Sequence, residues 1–417
     1  MVLRAVLIPA ALAAVSLLAP LAGGAALDSV KRDLKFDYNN QKVRGVNLGG
    51  WLVLEPWITP SMFDEWAGGG GAVDEYTFSQ VLGSDEAQNR LQRHWSSWIT
   101  QDDINHIAAA GMNHIRIPIG YWSVMPVYGD PYVQGAYDYL GQALDWAAGA
   151  GLLVMIDLHG APGSQNGFDN SGRYGAIEWT QGNTVDHTIR VLNKIRDDYA
   201  SHPAVTSIEL LNEPMGGSLD MGTVRQFYMD GWGNLKDSNL VVAFHDAFQG
   251  VTSWNDWGDG MWYLMLDTHH YQIFDNGQVS MSPEDHVSAA CSFGNQMASN
   301  NKWTICGEFS GAITDCAKWL NGLGNGARYD GTYPGSSYVG SCDGKYTGSV
   351  AGLSDADKYN IGRFVEAQLD AFERRTGWIF WTWKTESAPE WNMKDLLANG
   401  LFPQPLDSRN YPGQCGY

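Results

Sequence analysis

Several polar side chains stand at the ends of short apolar runs, a place where polar groups are costly. With each run taken as a strand, the strand ends carry Asn47, Arg116, Asp157 with His159, Asn212 with Glu213, His245 with Asp246, Asp267 with His269, Glu308, and Trp381 with Trp383. Two glutamates share one context, Glu213 in SIELLNEP and Glu308 in WTICGEFS, each read as closing a buried strand. Burying a carboxylate there is unfavourable unless it has partners or a task. Two carboxyls across a barrel mouth suit glycoside hydrolysis: one protonates the leaving oxygen and the other attacks the anomeric carbon. The two must differ in proton affinity, and Arg116 beside one of them would hold that one ionised. For either glutamate taken singly, a strand-end ion pair is the alternative.

The elements that must hold these residues recur along the chain. Apolar strands are predicted at Val43–Asn47, His114–Pro118, Leu152–His159, Val205–Glu213, Leu240–Asp246, Tyr263–His269, Trp303–Phe309 and Gly377–Trp383. Stretches with apolar residues at helical spacing lie between them, among them Ile104–Ala110, Tyr139–Ala148, Val185–Tyr199 and Lys358–Arg374. This alternation predicts an α/β fold, a single (β/α)₈ TIM barrel with long active-site loops at the C-terminal face. A doubly wound open sheet is the second choice, disfavoured because no glycine-rich phosphate loop opens a helix. No linker, charge block or short repeat divides the chain.

Composition narrows the function further. In 417 residues, 26 Lys and Arg face 46 Asp and Glu, a formal net charge of −20. Such a field repels phosphate backbones and anionic lipid, so nucleic acid and membrane surfaces are not expected partners. The 18 Trp and 19 Tyr fit either a large aromatic core or faces on which sugar rings stack. The N-terminus, with Arg4 before a Pro-interrupted apolar stretch and small residues from Ala22 to Ala26, reads as a secretory signal peptide over 1–26. Residues 27–32 then form a pro-segment ending in Lys31-Arg32, leaving 33–417 as the barrel domain of a secreted, extracellular or cell-wall protein. Five cysteines in a secreted chain allow two disulfides and one free thiol, and Cys306, on a buried strand, is read as the thiol. No Asn-x-Ser/Thr acceptor for glycosylation is present.

Seven segments in order, RGVNLGGWLVLEPWITPSMF, IRIPIGYW, DLHGAPGSQNGFDNSGR, LLNEP, DTHHYQIF, GEFSGAITDCAKWLNG and WIFWTWKTESAPEW, resemble the secreted fungal exo-β-1,3-glucanases of glycoside hydrolase family 5. The resemblance runs from about residue 40 to the C-terminus and implies a (β/α)₈ barrel with its acid/base on the fourth strand and its nucleophile on the seventh. Carried over motif by motif, it makes Glu213 the general acid/base and Glu308 the nucleophile of a retaining enzyme, their carboxyls ~5–5.5 Å apart. Asn212 would hold the sugar 2-hydroxyl, Arg116 and Tyr271 would flank Glu308 and keep it an anion, and His159 and His269 would line the pocket. Trp381 would floor the site, with Trp383, two residues on, turned to the other face. Glu55 and Asp169 match positions that hold terminal glucose hydroxyls, and Phe168 and Phe274 match an aromatic pair gripping the next sugar. The resemblance also suggests disulfides Cys291–Cys415 and Cys316–Cys342. The implied partner is β-1,3-glucan, cleaved to glucose from non-reducing ends by a monomer without cofactor or metal.

Other assignments compete for some of these residues. Asp157, His159, His269 and His270 could ligate a metal, but such barrels usually add a His-x-His pair on the first strand, where Val46-Asn47-Leu48 stands. His270 should face away from His269 and pack. Trp51, Trp57, Trp122 and Trp179 are either sugar platforms or core. Ser164 lacks the Gly-x-Ser-x-Gly context of a hydrolase nucleophile. Endo-acting and β-1,6-specific glucanases share these motifs, as would a catalytically silent glucan-binding wall protein, although the latter would have no need of both glutamates.

Overall fold

Strands paired in parallel are covered by helices on one side and fill a barrel on the other, so they read as unbroken apolar runs. In the computed structural model, which describes residues 34–417, eight such strands close a parallel barrel in sequence order: β1 Val43–Asn47, β2 His114–Gly120, β3 Leu153–Gly160, β4 Val205–Glu209, β5 Val241–His245, β6 Leu264–His270, β7 Trp303–Phe309 and β8 Gly377–Phe380. The predicted (β/α)₈ barrel is therefore the fold, and the open sheet is excluded because β8 pairs with β1. The signal peptide and pro-segment lie outside the described residues.

The outer layer comprises α1 Glu75–Ser97, α2 Gln101–Ala109, α3 Tyr121–Val124, α4 Ala136–Ala150, α5 Thr184–Tyr199, α6 Met221–Leu235, α7 Pro283–Ser299, α8 Asp355–Phe372 and α9 Met393–Ala398. Several starts are set by capping boxes, in which two orphan N–H groups are satisfied reciprocally: Asp74 with Thr77, Thr100 with Asp103, and Ser282 with Asp285. Losing such a cap costs about 1 kcal/mol. Alternation fails once. The segment from β5 to β6, rich in Gly, Asp and Trp, makes only a 3₁₀ turn at Val251–Trp254.

Alternate residues of each strand face the barrel interior, and the interior is layered by chemistry. Its lower layer is apolar: Val43, Met155, Val241, Met265, Ile305 and Ile379 pack together under Phe36 and Tyr38. Two positions on along β1, β3, β6 and β7 stand Gly45, Asp157, Asp267 and Gly307. The barrel thus places an apolar plug below and a layer containing buried carboxylates above, at the end where the strands finish. The two disulfides are Cys291–Cys415, tying the C-terminal tail to α7, and Cys316–Cys342, closing the long loop after β7. Cys306 is the free, buried thiol.

Candidate active site

Arg116 on β2 is wholly buried and is the hub of the upper layer. Its Nε donates to Glu209 at 2.8 Å, Nη1 to Asn47 at 3.0 Å and Glu308 at 2.9 Å, and Nη2 to Asn212 at 2.9 Å. Nη2 also lies 3.2 Å from Asp157. Burial disfavours its charge, but Asp157, Glu209, Glu308 and Asp267 overcome this and raise its pKa well above the ordinary value. Truncating such a residue would leave carboxylates buried and unpaired, a loss of about 3–5 kcal/mol for one broken buried pair.

The two glutamates come together above this hub. Glu308, on β7, accepts from Arg116 at Oε1 and from the Tyr271 hydroxyl at Oε2, each at 2.9 Å. Glu213 does not close β4, as its sequence context suggested. The strand ends at Glu209, and Glu213 lies four residues beyond it at φ 45°, a left-handed backbone conformation uncommon for a side-chain-bearing residue. Gln165 pins this segment: its Nε2 donates to the carbonyls of His159 and Asn212, and its own backbone carbonyl oxygen accepts from the Met215 N–H. The Glu213 carboxylate pairs with His269 Nδ1 at 2.7 Å and accepts from Asn170 at 3.2 Å. His269 Nδ1 is also 3.5 Å from Glu308 Oε2. Sharing that nitrogen brings the two carboxyls within about 6 Å of each other, below the ~6.5–9.5 Å that inverting glycosidases need for an intervening water.

Proton affinities differ from the expected pattern. Burial raises the Glu308 pKa, with Glu213 adding, and the attraction of His269 and Arg116 only partly offsets it. Burial acts the same way on Glu213, but its hydrogen bond to His269 and the positive charge around it win, and its pKa is lowered. His269 is held well above its ordinary value: Glu308, Asp267 and Glu213 outweigh the burial penalty. Arg116 thus sits beside Glu308 as expected without making it the more acidic of the two, because His269 concentrates positive charge on Glu213.

The remaining residues form the walls. His159 hydrogen-bonds Asp157 at 2.6 Å and stacks on Trp381, with centroids 5.5 Å apart and planes 8° apart. Trp381 lies one residue past β8; strand alternation would put Trp383, two residues on, on the same face, but its Nε1 donates to Asp103 at the start of α2, which turns it into the core. Glu55 accepts from Trp57 at 3.0 Å, leaving Oε1 without a partner. Burial, then Asp169, Glu308 and Glu213, raise its pKa well above the usual range. Burial together with Asp74 lifts Asp169 to about 7. Phe168 and Phe274 are exposed, at 40% and 44%. Tyr271 packs edge-on to Phe274 and leans on Trp391.

Of the uncertain tryptophans, Trp51, Trp122 and Trp179 are core, donating to the Trp95 carbonyl, Glu75 and Thr188 respectively. Trp57 alone adjoins the site, through Glu55. His270 faces Phe293 and Gln272, so the set Asp157, His159, His269 and His270 does not assemble. Among the described residues two other groups have metal-like spacing, Glu213–His245–His269 and Glu209–Asp267–His269, but the Arg116 guanidinium already contacts Glu209 of the second. Glu209, Gln165 and Asn170 do not stand out in the sequence, though each lies in a motif already singled out: SIELLNEP, or the loop after β3.

The family model "Cellulase (glycosyl hydrolase family 5)" matches residues 82–322. A glucan 1,3-beta-glucosidase of Blumeria graminis is 55% identical over 98% of this chain and 96% of its own length. The chain belongs to glycoside hydrolase family 5. Within that family, a glucan 1,3-beta-glucosidase 2 of Wickerhamomyces anomalus is 48% identical over 97% of each chain. Among solved structures, rutinosidase from Aspergillus niger superposes with a TM-score of 0.69, covering 88% of this chain and 99% of that one at 20% identity, and so shares the fold. Family 5 membership agrees with the barrel fold. No helix among the described residues is long and apolar enough to cross a membrane.

Proposed function

We propose that this family 5 chain is a retaining exo-glycosidase that releases glucose from the non-reducing ends of β-1,3-glucan. The observation that carries the retaining chemistry is the sharing of His269 by the two glutamates, with their carboxyls within about 6 Å. The linkage rests on likeness to the glucan 1,3-beta-glucosidases of Blumeria graminis and Wickerhamomyces anomalus. In the first step Glu308 attacks the anomeric carbon while Glu213 protonates the departing glycosidic oxygen, leaving a glycosyl–Glu308 ester. In the second, Glu213 takes a proton from water, the oxygen attacks the same carbon, and Glu308 leaves as a carboxylate. Replacement of that water by a sugar hydroxyl gives transglycosylation.

Arg116 and Tyr271 hold the nucleophile from both oxygens. The Asn212 side-chain oxygen is taken by Arg116, leaving its Nδ2, 3.5 Å from His159 Nε2, to donate to the sugar 2-hydroxyl. His159 and Trp381 line the glucose pocket, Glu55 and Asp169 bind its far hydroxyls, and Phe168 and Phe274 grip the sugar beyond the cleaved bond. Secretion follows cleavage at residue 26 and after Arg32, and Edman sequencing of the secreted protein should begin at Asp33.

Products from laminarin test the whole proposal. Glucose alone from the first minutes, formed as the β-anomer, is the expected result. Early oligosaccharides would favour an endo enzyme, and faster cleavage of a β-1,6-glucan would change the linkage. Assignment of roles is tested separately. A fluorosugar inactivator should label Glu308, and Glu308→Gln should bind substrate without turnover. Glu213→Ala should keep activity on leaving groups that need no protonation and recover with azide; equal loss on all substrates without rescue would remove Glu213 from the acid/base role.

A further inference from the structure

Beneath the catalytic pair, Asp267 on β6 bridges two parts of the site. Its Oδ1 accepts the Gly307 N–H at 2.7 Å, immediately before Glu308 on β7. Its Oδ2 lies 3.6 Å from His269 Nε2, an ion-pair distance, and both atoms are buried with no hydrogen-bond partner. The fit is close: a Cβ on Gly307 would stand 2.1 Å from Asp267 Oδ2, so the glycine makes room for this carboxylate. His269 therefore faces a carboxylate at each nitrogen, hydrogen-bonded to Glu213 at Nδ1 and ion-paired to Asp267 at Nε2.

We propose that Asp267 is a positioning residue, which locks the β7 backbone beside Glu308 and keeps a second proton on His269 that His269 shares with Glu213. The groups facing His269 fit such a store. Glu213 and Glu308 lie at Nδ1, Asp267 and Glu209 are the nearby carboxyls below, and His245 packs against its ring at 4.4 Å. His245 accepts the Ala247 N–H at Nδ1, and burial, with the charges of His269 and Arg116, keeps it neutral. Asp157 and Arg116 complete the layer as an ion pair. As Glu308 bonds to the sugar its negative charge is spent, and His269 loses one of the anions holding its proton. That proton then moves from Nδ1 to Glu213, which passes it on to the leaving oxygen and is left as a carboxylate. In the second step water supplies a proton to Glu213, Glu308 regains its charge, and the proton returns to His269.

This inference rests on Glu213 being the acid/base. Asp267→Asn keeps an acceptor for the Gly307 N–H and removes only the charge. An opposite charge at this distance shifts a pKa by about 1–3 units. The alkaline limb of kcat/KM for laminari-oligosaccharides should move down by that amount in Asp267→Asn. With a dinitrophenyl glucoside, which needs no acid, it should stay in place. A purely structural role would lower kcat/KM evenly across pH, and an unmoved alkaline limb overturns the proposal. Wild-type enzyme supplies a second test whether or not the variant folds. Ring nitrogen-15 shifts of His269 should report a doubly protonated imidazolium at the pH of maximal kcat/KM, and a neutral ring there would also overturn it. Since the shifts are read without turnover, they separate failure of this inference from failure of the acid/base assignment, which azide rescue of Glu213→Ala decides.

Discussion

Tyr271→Phe removes one hydroxyl from the nucleophile and almost nothing else. The hydroxyl donates to Glu308 Oε2 at 2.9 Å, while the ring contacts to Phe274 and Trp391 survive as phenylalanine. Glu308 keeps Arg116 on its other oxygen. A hydrogen bond to a charged group contributes about 1.5–3 kcal/mol. At about 1.4 kcal/mol per pKa unit, its loss raises the Glu308 pKa by about one to two units, in addition to the rise that burial already imposes. Glu308 attacks only as the anion, so a higher pKa depletes the active form at low pH. The acidic limb of kcat/KM for p-nitrophenyl β-glucoside should therefore move up by about one to two units, with the alkaline limb in place. Burial, with Glu308 and Glu213 adding, raises the tyrosine's own pKa well above its ordinary value, so it donates at every assay pH. An acidic limb that does not move, or an equal loss at all pH values, would refute the role given to this hydroxyl.

Phe168→Ala and Phe274→Ala should each raise KM for laminari-oligosaccharides several-fold to about tenfold, at about 1 kcal/mol per aromatic contact, with little change for a p-nitrophenyl glucoside. A large fall in Tm with equal losses on both substrates would make these rings structural. Asp169, whose folded pKa is raised to about 7 by burial with Asp74 adding, should cost stability increasingly from its unfolded value of about 4 up to about 7. Asp169→Asn should accordingly gain in Tm over wild type across that window and level off above it, while KM rises; a Tm difference independent of pH would contradict this. EDTA followed by dialysis should leave the rate unchanged, since each step uses carboxylates and an arginine. A loss restored by a divalent ion would instead give the Glu213–His245–His269 group a metal.

Much of this protein is legible in the residues alone, for a physical reason. Parallel strands sealed on both faces must be apolar throughout, so the eight runs stand out, and any polar group at their ends is conspicuous because burying it is costly. Arg116, Asp157, His269 and Glu308 are marked in this way by their places in the chain. Helices were less visible. The start of α7 carries its Ser282–Asp285 capping box in plain view, but its apolar face does not repeat cleanly. Only the tertiary structure decided how the polar residues divide their work. Glu209 and Glu213 stand four residues apart in one motif, yet one is buried on Arg116 and the other is turned by a left-handed backbone toward His269. Nothing local distinguishes them; their difference arises from where β4 stops pairing with its neighbours and from Gln165, which arrives from another loop. Nor could composition separate Trp57, beside Glu55, from Trp51, Trp122 and Trp179 in the core. Proton affinities were least accessible of all, because the order of Glu213 and Glu308 depends on a histidine from β6 that sits between residues 95 positions apart in the chain. Such electrostatic coupling falls off over a few ångströms, and only the closed barrel sets those distances.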